Sequence, residues 1–329
     1  MKTKVFLASF ILSLPLWWGV NAFSLSFENF IFWYELSKTP GVFTANIGQA
    51  YDIDISRDKL NRSINGLFEE IEVKSEAALV LEVMPGNVER VIYEKNIDKP
   101  LAIASLSKLM TALVVFDLKE TYGFSEPVLI TEEAVNQDGS SKYGELAEGE
   151  YLRVKDLVYI MLIESSNDAA FALSELVSDK ELENKDEPFV GLMNIYAKNI
   201  GLYSTKFINS TGLDSGSGAN LSTALDVARL TKYIYIKYPK IFEITSQNSY
   251  EVAKADGSLH HFIPENTNKL LTEIKGVIGG KTGWTPLAKG CLLIILKNPS
   301  SSSYFINVVL GADDRFSEMK KLIELTSRI

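Results

Sequence analysis

The chain carries Ser105-Leu106-Ser107-Lys108, then Ser165-Ser166-Asn167, then Lys281-Thr282-Gly283. Each motif is weak by itself, because further copies of the first two patterns occur at Ser56/Lys59, Ser317/Lys320, Ser63/Asn65 and Ser246/Asn248. Lys-Thr-Gly occurs once. The sequence around each repeated pattern selects its middle copy, and the order of the three motifs carries the information.

Ser105 and Lys108 lie three residues apart in the mostly apolar stretch Ile103–Leu118, which predicts a buried helix. Residues at this spacing share a helix face, so the lysine amine can approach the serine hydroxyl. Lysine is a base only when it is neutral, and both burial and a neighbouring cation lower its pKa. The apolar flanks supply burial, and Lys281 is the candidate cation. Ser105 and Lys108 are therefore a candidate nucleophile and base.

The second motif lies on a short connection between two apolar helices. One interpretation is a simple helix N-cap with a turn asparagine. The functional interpretation gives Ser165 a role in proton relay and Asn167 a hydrogen bond to a substrate backbone.

The third motif follows Gly279-Gly280 and precedes Trp284. Glycines let a ligand backbone approach a strand edge, and Lys281 and Thr282 offer charge and a hydroxyl to a terminal carboxylate. The alternative is a glycine-rich turn.

Composition excludes several other chemistries. The two histidines, His260 and His261, are neighbours in a predicted hairpin, so we expect them on opposite faces and unable to share a metal or a nucleophile. This disfavours a Ser-His-Asp triad and a zinc site, and no metal or cofactor is predicted. The single cysteine, Cys291, is predicted to be buried. The net charge of −9 argues against a nucleic-acid partner.

The N-terminal segment predicts export. Lys2 and Lys4 precede an uncharged stretch from Val5 to Phe27, which is long enough to span a bilayer. A signal-peptidase site after Ala22 is the alternative, and a retained membrane anchor is favoured over it. We predict an anchor or signal at residues 1–27, a connector at 28–72 and a catalytic domain at 73–329.

The pattern of the catalytic domain predicts an α/β (α+β) fold. Strands are predicted at Ala77–Met84, Val88–Tyr93, Gly290–Lys297 and Tyr304–Leu310. Helices are predicted at Ile103–Leu118, Val154–Leu162, Ala169–Val177, Ala224–Ile236 and Arg315–Ser327. Strands at both ends with helices between them indicate one mixed sheet, flanked by helices and assembled from both ends of the domain.

Five segments resemble the D-alanyl-D-alanine carboxypeptidases, the low-molecular-mass penicillin-binding proteins. They are Ala104–Ala112, Ser165–Ala170, Phe207–Asp214, Asn266–Leu271 and Lys281–Gly283. The resemblance implies the penicillin-binding protein/β-lactamase-like transpeptidase fold, with an all-helical subdomain. It also implies a serine-type D-Ala-D-Ala carboxypeptidase of the bacterial cell envelope. Peptidoglycan stem peptides would be its substrates and β-lactam antibiotics its inhibitors, and no cofactor is implied.

The resemblance assigns a role to each site residue. Ser105 is the nucleophile, Lys108 the general base, and Ser165 and Asn167 are the catalytic groups of the second motif. The substrate-binding residues are Lys281, Thr282, Gly283 and Trp284, of which the first two bind a terminal carboxylate. The backbone N–H groups of Ser105 and Trp284 form the oxyanion hole.

Departures from the family pattern leave alternatives open. Ser166 stands where glycine is frequent, and Trp284 is bulkier than usual and is expected to narrow the cleft. Many carboxypeptidases have a β-rich C-terminal domain after these motifs, where this sequence predicts only the closing helix. A peptidoglycan DD-endopeptidase is therefore an alternative. A class A β-lactamase is disfavoured because the stretch 196–206 has no acid for deacylation. The last alternative is a non-catalytic peptidoglycan-binding module.

Overall fold

The computed structural model describes residues 72–137, 143–181 and 189–327. The predicted anchor or signal at 1–27, and all of the connector but Glu72, lie outside these residues. None of the helices in the described residues has the length and apolar character that crossing a bilayer requires. The bounds of these three segments therefore stay predictions.

The strands and helices follow one another from a hairpin to a closing helix. The strands are β1 Ala77–Met84, β2 Val88–Lys95, β3 Leu101–Ala102, β4 Pro127–Leu129, β5 Tyr151–Arg153, β6 Leu221–Ser222, β7 Tyr250–Ala253, β8 Leu259–Ile263, β9 Val277–Thr285, β10 Lys289–Lys297 and β11 Tyr304–Ala312. The helices are α1 Lys108–Asp117, α2 Lys119–Tyr122, α3 Glu132–Val135, α4 Val154–Tyr159, α5 Asn167–Glu181, α6 Phe189–Asn199, α7 Ala224–Lys237, α8 Lys240–Thr245, α9 Leu270–Glu273 and α10 Arg315–Ser327.

A five-stranded sheet in the order β2-β1-β11-β10-β9 joins the two ends of the domain. This confirms the α/β class and the assembly from both ends. All four strand pairings are antiparallel, so the prediction of a mixed sheet is wrong in strand direction. The reason is that β1–β2, β9–β10 and β10–β11 are joined by short connections, whereas a parallel pair needs a long crossover.

The central strands of this sheet are buried on both faces. Ala78 and Val80 of β1 belong to a core cluster with Met319 and Leu322 of α10. The intervening Leu79 is also buried and points to the opposite face, where α7 packs on β1 and β11. Burial on both sides explains why these strands appear in the sequence as continuous apolar runs instead of alternating ones.

Two predicted helices change their winding beside the first and second motifs. The predicted helix Ile103–Leu118 is a 3-10 turn over Ala104–Ser107 followed by α1. The predicted helix Val154–Leu162 is α4 followed by a π turn over Ile160–Glu164. Short 3-10 and π segments accompany functional sites frequently, and here a residue of the candidate site, Lys108 or Ser165, directly follows each segment.

A buried ion pair fixes α7 to the outer strand β2. Lys232 of α7 contacts Glu89 of β2, and both side chains are 6% exposed. Removing one member of such a pair leaves the other charge buried without its partner, which costs more than the pair itself contributes.

We therefore expect Lys232→Met to lower the free energy of unfolding by about 3–5 kcal/mol. The matched control is Lys320→Met, which breaks the exposed Lys320–Glu273 pair and should cost at most about 1 kcal/mol. Urea unfolding of both variants measures the difference. Equal effects of the two substitutions would contradict the structural role given to Lys232.

Candidate active site

A tight turn presents Ser105 at the start of α1. Ala104 has a left-handed φ of 46°, and the hydroxyl of Ser107 donates a hydrogen bond of 2.7 Å to the Ala104 carbonyl. The turn leads directly into Lys108, the first residue of α1. The Oγ atom of Ser105 and the Nζ atom of Lys108 consequently lie 3.0 Å apart.

The amine of Lys108 is fully enclosed by polar acceptors. Its side chain is buried, and Nζ donates hydrogen bonds of 2.6 Å to Asn167 Oδ1 and of 2.6 Å to the backbone carbonyl of Thr211. Burial, and then the positive charge of Lys281, hold the pKa of Lys108 well below its ordinary value. The site therefore favours the neutral amine.

A neutral lysine has two N–H donors and one lone pair. Asn167 Oδ1 and the Thr211 carbonyl accept hydrogen bonds only, so together they occupy both N–H groups. The third neighbour, Ser105 Oγ at 3.0 Å, then faces the remaining position on Nζ, and its hydroxyl can donate to the lone pair of a neutral amine. This arrangement can draw the proton from a serine as it attacks.

The segment that contains Thr211 is locked against the Ser105 turn. Gly212 has a φ of 88°, and a Cβ atom on it would lie 2.1 Å from the carbonyl oxygen of Ala104. Asn209 Oδ1 accepts a hydrogen bond of 2.7 Å from the Gly212 N–H group. Thr211 was not predicted from the sequence, because its contribution is a backbone carbonyl; the only signal was the motif Phe207–Asp214, to which no role was assigned.

The second motif reaches both lysines. The π turn ends at Ser165, whose φ of 68° is left-handed, and α5 begins two residues later at Asn167. Ser165 Oγ accepts a hydrogen bond of 2.8 Å from Lys281 Nζ, while Asn167 contacts Lys108. The N-cap role predicted as an alternative belongs to Ser166, whose hydroxyl accepts the N–H of Ala169 at 3.2 Å.

Ser166 occupies the position where the family frequently has glycine, and a glycine lies opposite it. A Cβ atom on Gly144 would be 2.8 Å from Ser166 Oγ and 2.9 Å from the side chain of Ile160. The backbone around Gly144 thus packs directly on the second motif. Its N–H donates a hydrogen bond of 2.8 Å to Glu164, the residue before Ser165.

The third motif lies in a regular strand, β9, at the edge of the main sheet, so the alternative of a glycine-rich turn is wrong. Lys281 is buried, and burial followed by the charge of Arg315 lowers its pKa to about 7. The Thr282 hydroxyl donates a hydrogen bond of 2.8 Å to the hydroxyl of Thr267. Lys281 can therefore exist in either protonation state near neutral pH.

Gly283 and Arg315 hold β9 against the nucleophile turn. A Cβ atom on Gly283 would lie 3.0 Å from the Ile103 carbonyl and 3.1 Å from the Ser105 nitrogen. Arg315 Nη1 donates a hydrogen bond of 2.9 Å to the Gly283 carbonyl. Arg315 was predicted only as the start of the closing helix, so its place beside the site is a finding of the structure. Trp284, the next residue after Gly283, has a side chain that is 62% exposed.

The two histidines lie outside this cluster and contact each other, so their placement on opposite faces is wrong. The Nδ1 atoms of His260 and His261 are 2.6 Å apart. The register of β7 and β8 shifts at this point, since Val252 pairs with His261 and Ala253 with Leu259. The shift is a β-bulge, which redirects a side chain. The thiol of Cys291 is buried, as predicted.

A family model described as D-alanyl-D-alanine carboxypeptidase matches residues 66–314. The chain belongs to this family. It is 34% identical over 260 residues to D-alanyl-D-alanine carboxypeptidase DacF of Bacillus subtilis, covering 78% of this chain and 62% of that one. It is 30% identical over 256 residues to a D-alanyl-D-alanine endopeptidase of Pseudomonas aeruginosa, covering 77% and 76%.

Solved structures of family members have the same fold. Penicillin-binding protein D2 of Listeria monocytogenes in its ampicillin-bound form matches with a TM-score of 0.66 and 30% identity, covering 78% of this chain and 98% of that one. A cysteine-to-alanine mutant of the Streptomyces K15 DD-transpeptidase matches with a TM-score of 0.68 and 25% identity, covering 79% and 100%. These likenesses confirm the penicillin-binding protein fold that the sequence predicts.

The close contact of Gly212 predicts a large effect of one methyl group. Gly212→Ala should lower the free energy of unfolding by more than about 2 kcal/mol, because alanine is strained at this positive φ and its Cβ meets a backbone oxygen. Gly216→Ala is the matched control in the same segment, since a Cβ there meets nothing within 4 Å. Thermal and urea unfolding compare the two. A Gly212→Ala protein as stable as the control would show that the Thr211 segment is not held in this position.

Proposed function

We propose that the chain is a serine-type D-Ala-D-Ala carboxypeptidase that acts on peptidoglycan stem peptides through an acyl-enzyme on Ser105. The observation that carries the proposal is the hydrogen bonding of Lys108, which leaves its lone pair to the Ser105 hydroxyl. Family membership supports the substrate class, because the relatives are D-alanyl-D-alanine peptidases by name.

In this mechanism Ser105 Oγ attacks the carbonyl carbon of the penultimate D-alanine while its proton passes to Lys108 Nζ. The peptide C–N bond then breaks, and the terminal D-alanine leaves after its nitrogen receives a proton. We assign the delivery of that proton to Lys108 and Ser165. The backbone N–H groups of Ser105 and Trp284 are the proposed donors to the oxyanion. Water then hydrolyses the ester on Ser105 and releases the shortened peptide.

Asn167 and the residues of β9 are proposed to hold the substrate. The Asn167 amide orients Lys108 through Oδ1, and we assign it a further contact to the substrate backbone. Lys281 and Thr282 bind the terminal carboxylate, and Gly283 lets the peptide backbone approach β9. The exposed Trp284 side chain narrows the mouth of the cleft.

Lys281 connects substrate binding to protonation. Its pKa of about 7 in the free protein reflects burial beside another cation, and a bound carboxylate favours the charged amine. Binding a carboxylate-bearing substrate above pH 7 therefore requires uptake of one proton. Lys108 carries no such requirement, because it acts in its neutral form.

We further propose that the protein works outside the cytoplasm in the bacterial cell envelope, held there by residues 1–27, and that β-lactam antibiotics acylate Ser105. The ampicillin- and cefotaxime-bound structures of a 30% identical relative support the second proposal.

A second candidate is a D-alanyl-D-alanine endopeptidase that cuts cross-links between stem peptides. The chain covers 76% of the length of the Pseudomonas endopeptidase but 62% of DacF and 57% of the Escherichia coli carboxypeptidase DacC. The named relatives thus include both kinds of enzyme, and the greater identity to DacF favours the carboxypeptidase.

Purified muropeptides separate these functions. A carboxypeptidase releases D-alanine from an uncross-linked pentapeptide, whereas an endopeptidase converts a cross-linked dimer into monomers; mass spectrometry of both digests measures the ratio. We expect the pentapeptide to be the better substrate. Cleavage of neither substrate by a protein that forms a stable penicillin adduct would contradict both candidates.

The assignment of the nucleophile predicts the site of acylation. After treatment with excess benzylpenicillin, intact-mass analysis should find one adduct on the unmodified chain and none on Ser105→Ala. Ser317→Ala changes the serine of another S-x-x-K copy and should keep the adduct. An adduct on a well-folded Ser105→Ala protein would reject Ser105, and rapid turnover of the antibiotic without an adduct would favour a β-lactamase.

The pKa of Lys281 predicts a pH dependence that only carboxylate ligands have. A lysine whose pKa is lowered to about 7 loses its charge above that pH, so binding of a carboxylate should weaken toward tenfold per pH unit. We compare the acylation rate constants of a penicillin and its neutral methyl ester from pH 6 to 9. The titration of Lys108 affects both rate constants equally and cancels in their ratio. The rate constant of the penicillin divided by that of its ester should therefore fall above pH 7.

Lys281→Met provides the control for this experiment, since it removes the titrating amine and keeps the length of the side chain. The ratio of the two rate constants should then be low and independent of pH. A ratio that falls equally in both proteins would assign the titration to another group.

A further inference from the structure

A pocket of about 140 Å³ opens between α1, α4 and α8, away from the candidate active site. Its apolar lining comes from Phe116, Phe124, Val158, Tyr159 and Ile244. We call it the α1–α4–α8 pocket. Two lysines, Lys155 of α4 and Lys240 of α8, complete its lining.

The apolar wall is held in place by ring packing. Phe116 and Phe124 pack edge to face with their ring centroids 4.9 Å apart. Val158 and Ile244 are buried core residues, so the floor of the pocket is part of the packed helical subdomain. Such a preformed apolar concavity can hold a small apolar group.

The charge beside the pocket is positive. Lys155 Nζ lies 5.7 Å and 5.8 Å from the ring centroids of Tyr159 and Tyr250, which stack at 3.9 Å. Within the residues that the structure describes, Lys155 forms no ion pair with a carboxylate, whereas Lys240 is paired with Glu243 at 3.0 Å. One ammonium group is therefore available next to an apolar pocket.

We propose that the α1–α4–α8 pocket binds an amphipathic carboxylate whose apolar part is about the size of one aromatic ring and whose charge is next to Lys155. The size follows from the volume, because an apolar cavity of roughly 150 Å³ accepts benzene. The charge follows from Lys155, whose ammonium lies over the two tyrosine rings and can donate to a carboxylate.

The pocket adjoins the two segments that carry Ser165 and Lys281. Tyr159 is the last residue of α4, and the π turn that leads to Ser165 follows it. Ile244 precedes Thr245, whose hydroxyl accepts the N–H of Gly280 at 3.0 Å, beside Lys281. A ligand in the pocket thus packs against α4 and α8, the helices next to the segments that carry Ser165 and Lys281. It does not contact the polar groups of the candidate active site.

The test uses the full chain with 3-phenylpropionate as the probe and 3-phenylpropan-1-ol as its neutral analogue. Titration calorimetry should show the carboxylate binding roughly tenfold more tightly, the gain expected from a charge-assisted contact. Methyl NMR should localise the probe through shifts at Val158 and Ile244. The absence of both saturable binding and these methyl shifts would overturn the proposal.

Three substitutions identify the charge that binds the carboxylate. Lys155→Met keeps the apolar stem and should remove the preference for the carboxylate while the alcohol still binds. Lys206→Met, at an exposed lysine elsewhere, should leave the preference unchanged. Lys281→Met should also leave it unchanged. A preference that survives in Lys155→Met and is lost in Lys281→Met would place the probe in the candidate active site and reject the proposal.

Discussion

The hydrogen bonding of one buried amine determines what the site can do. Lys108 Nζ lies 2.6 Å from Asn167 Oδ1 and 2.6 Å from the Thr211 carbonyl, and these acceptors leave its lone pair to Ser105. Each partner belongs to a different part of the chain, so the fold has to bring the start of α1, the start of α5 and the segment around Gly212 together. The left-handed residues Ala104, Ser165 and Gly212 mark where the backbone bends to achieve this.

Two buried lysines have different tasks because their surroundings differ. Burial, and then the positive charge of Lys281, hold the pKa of Lys108 well below its ordinary value, and two acceptors orient its N–H groups. Lys281 lies on the edge strand β9 with a pKa of about 7, and an incoming carboxylate can restore its charge. The charge of Arg315 contributes to the lowered pKa of Lys281, and its guanidinium also holds β9 by a hydrogen bond to the Gly283 carbonyl.

Local pattern was sufficient to predict much of the fold, whereas contacts between distant segments were not predictable. The bounds of β1 and α10 are those that the apolar run of β1 and the helical periodicity of α10 predict, because packing within the core determines both patterns. The order of the three motifs predicted that Ser105, Lys108 and Lys281 belong to one site. The carbonyl of Thr211 could not be found this way, because any residue has a carbonyl and only the tertiary structure points it at the amine. The bulge at His260 was missed for the same reason, since strand register is set between strands.

The protonation state of Lys108 tests the proposed mechanism most directly. The full chain labelled with 13C at the lysine ε position would be titrated by NMR from pH 6 to 10, with Lys108 assigned through Lys108→Arg. We predict that the Lys108 resonance changes to the shift of a neutral amine at a pH well below that at which exposed lysines titrate. A resonance that keeps the shift of a charged ammonium up to pH 9 would contradict the role of Lys108 as the base.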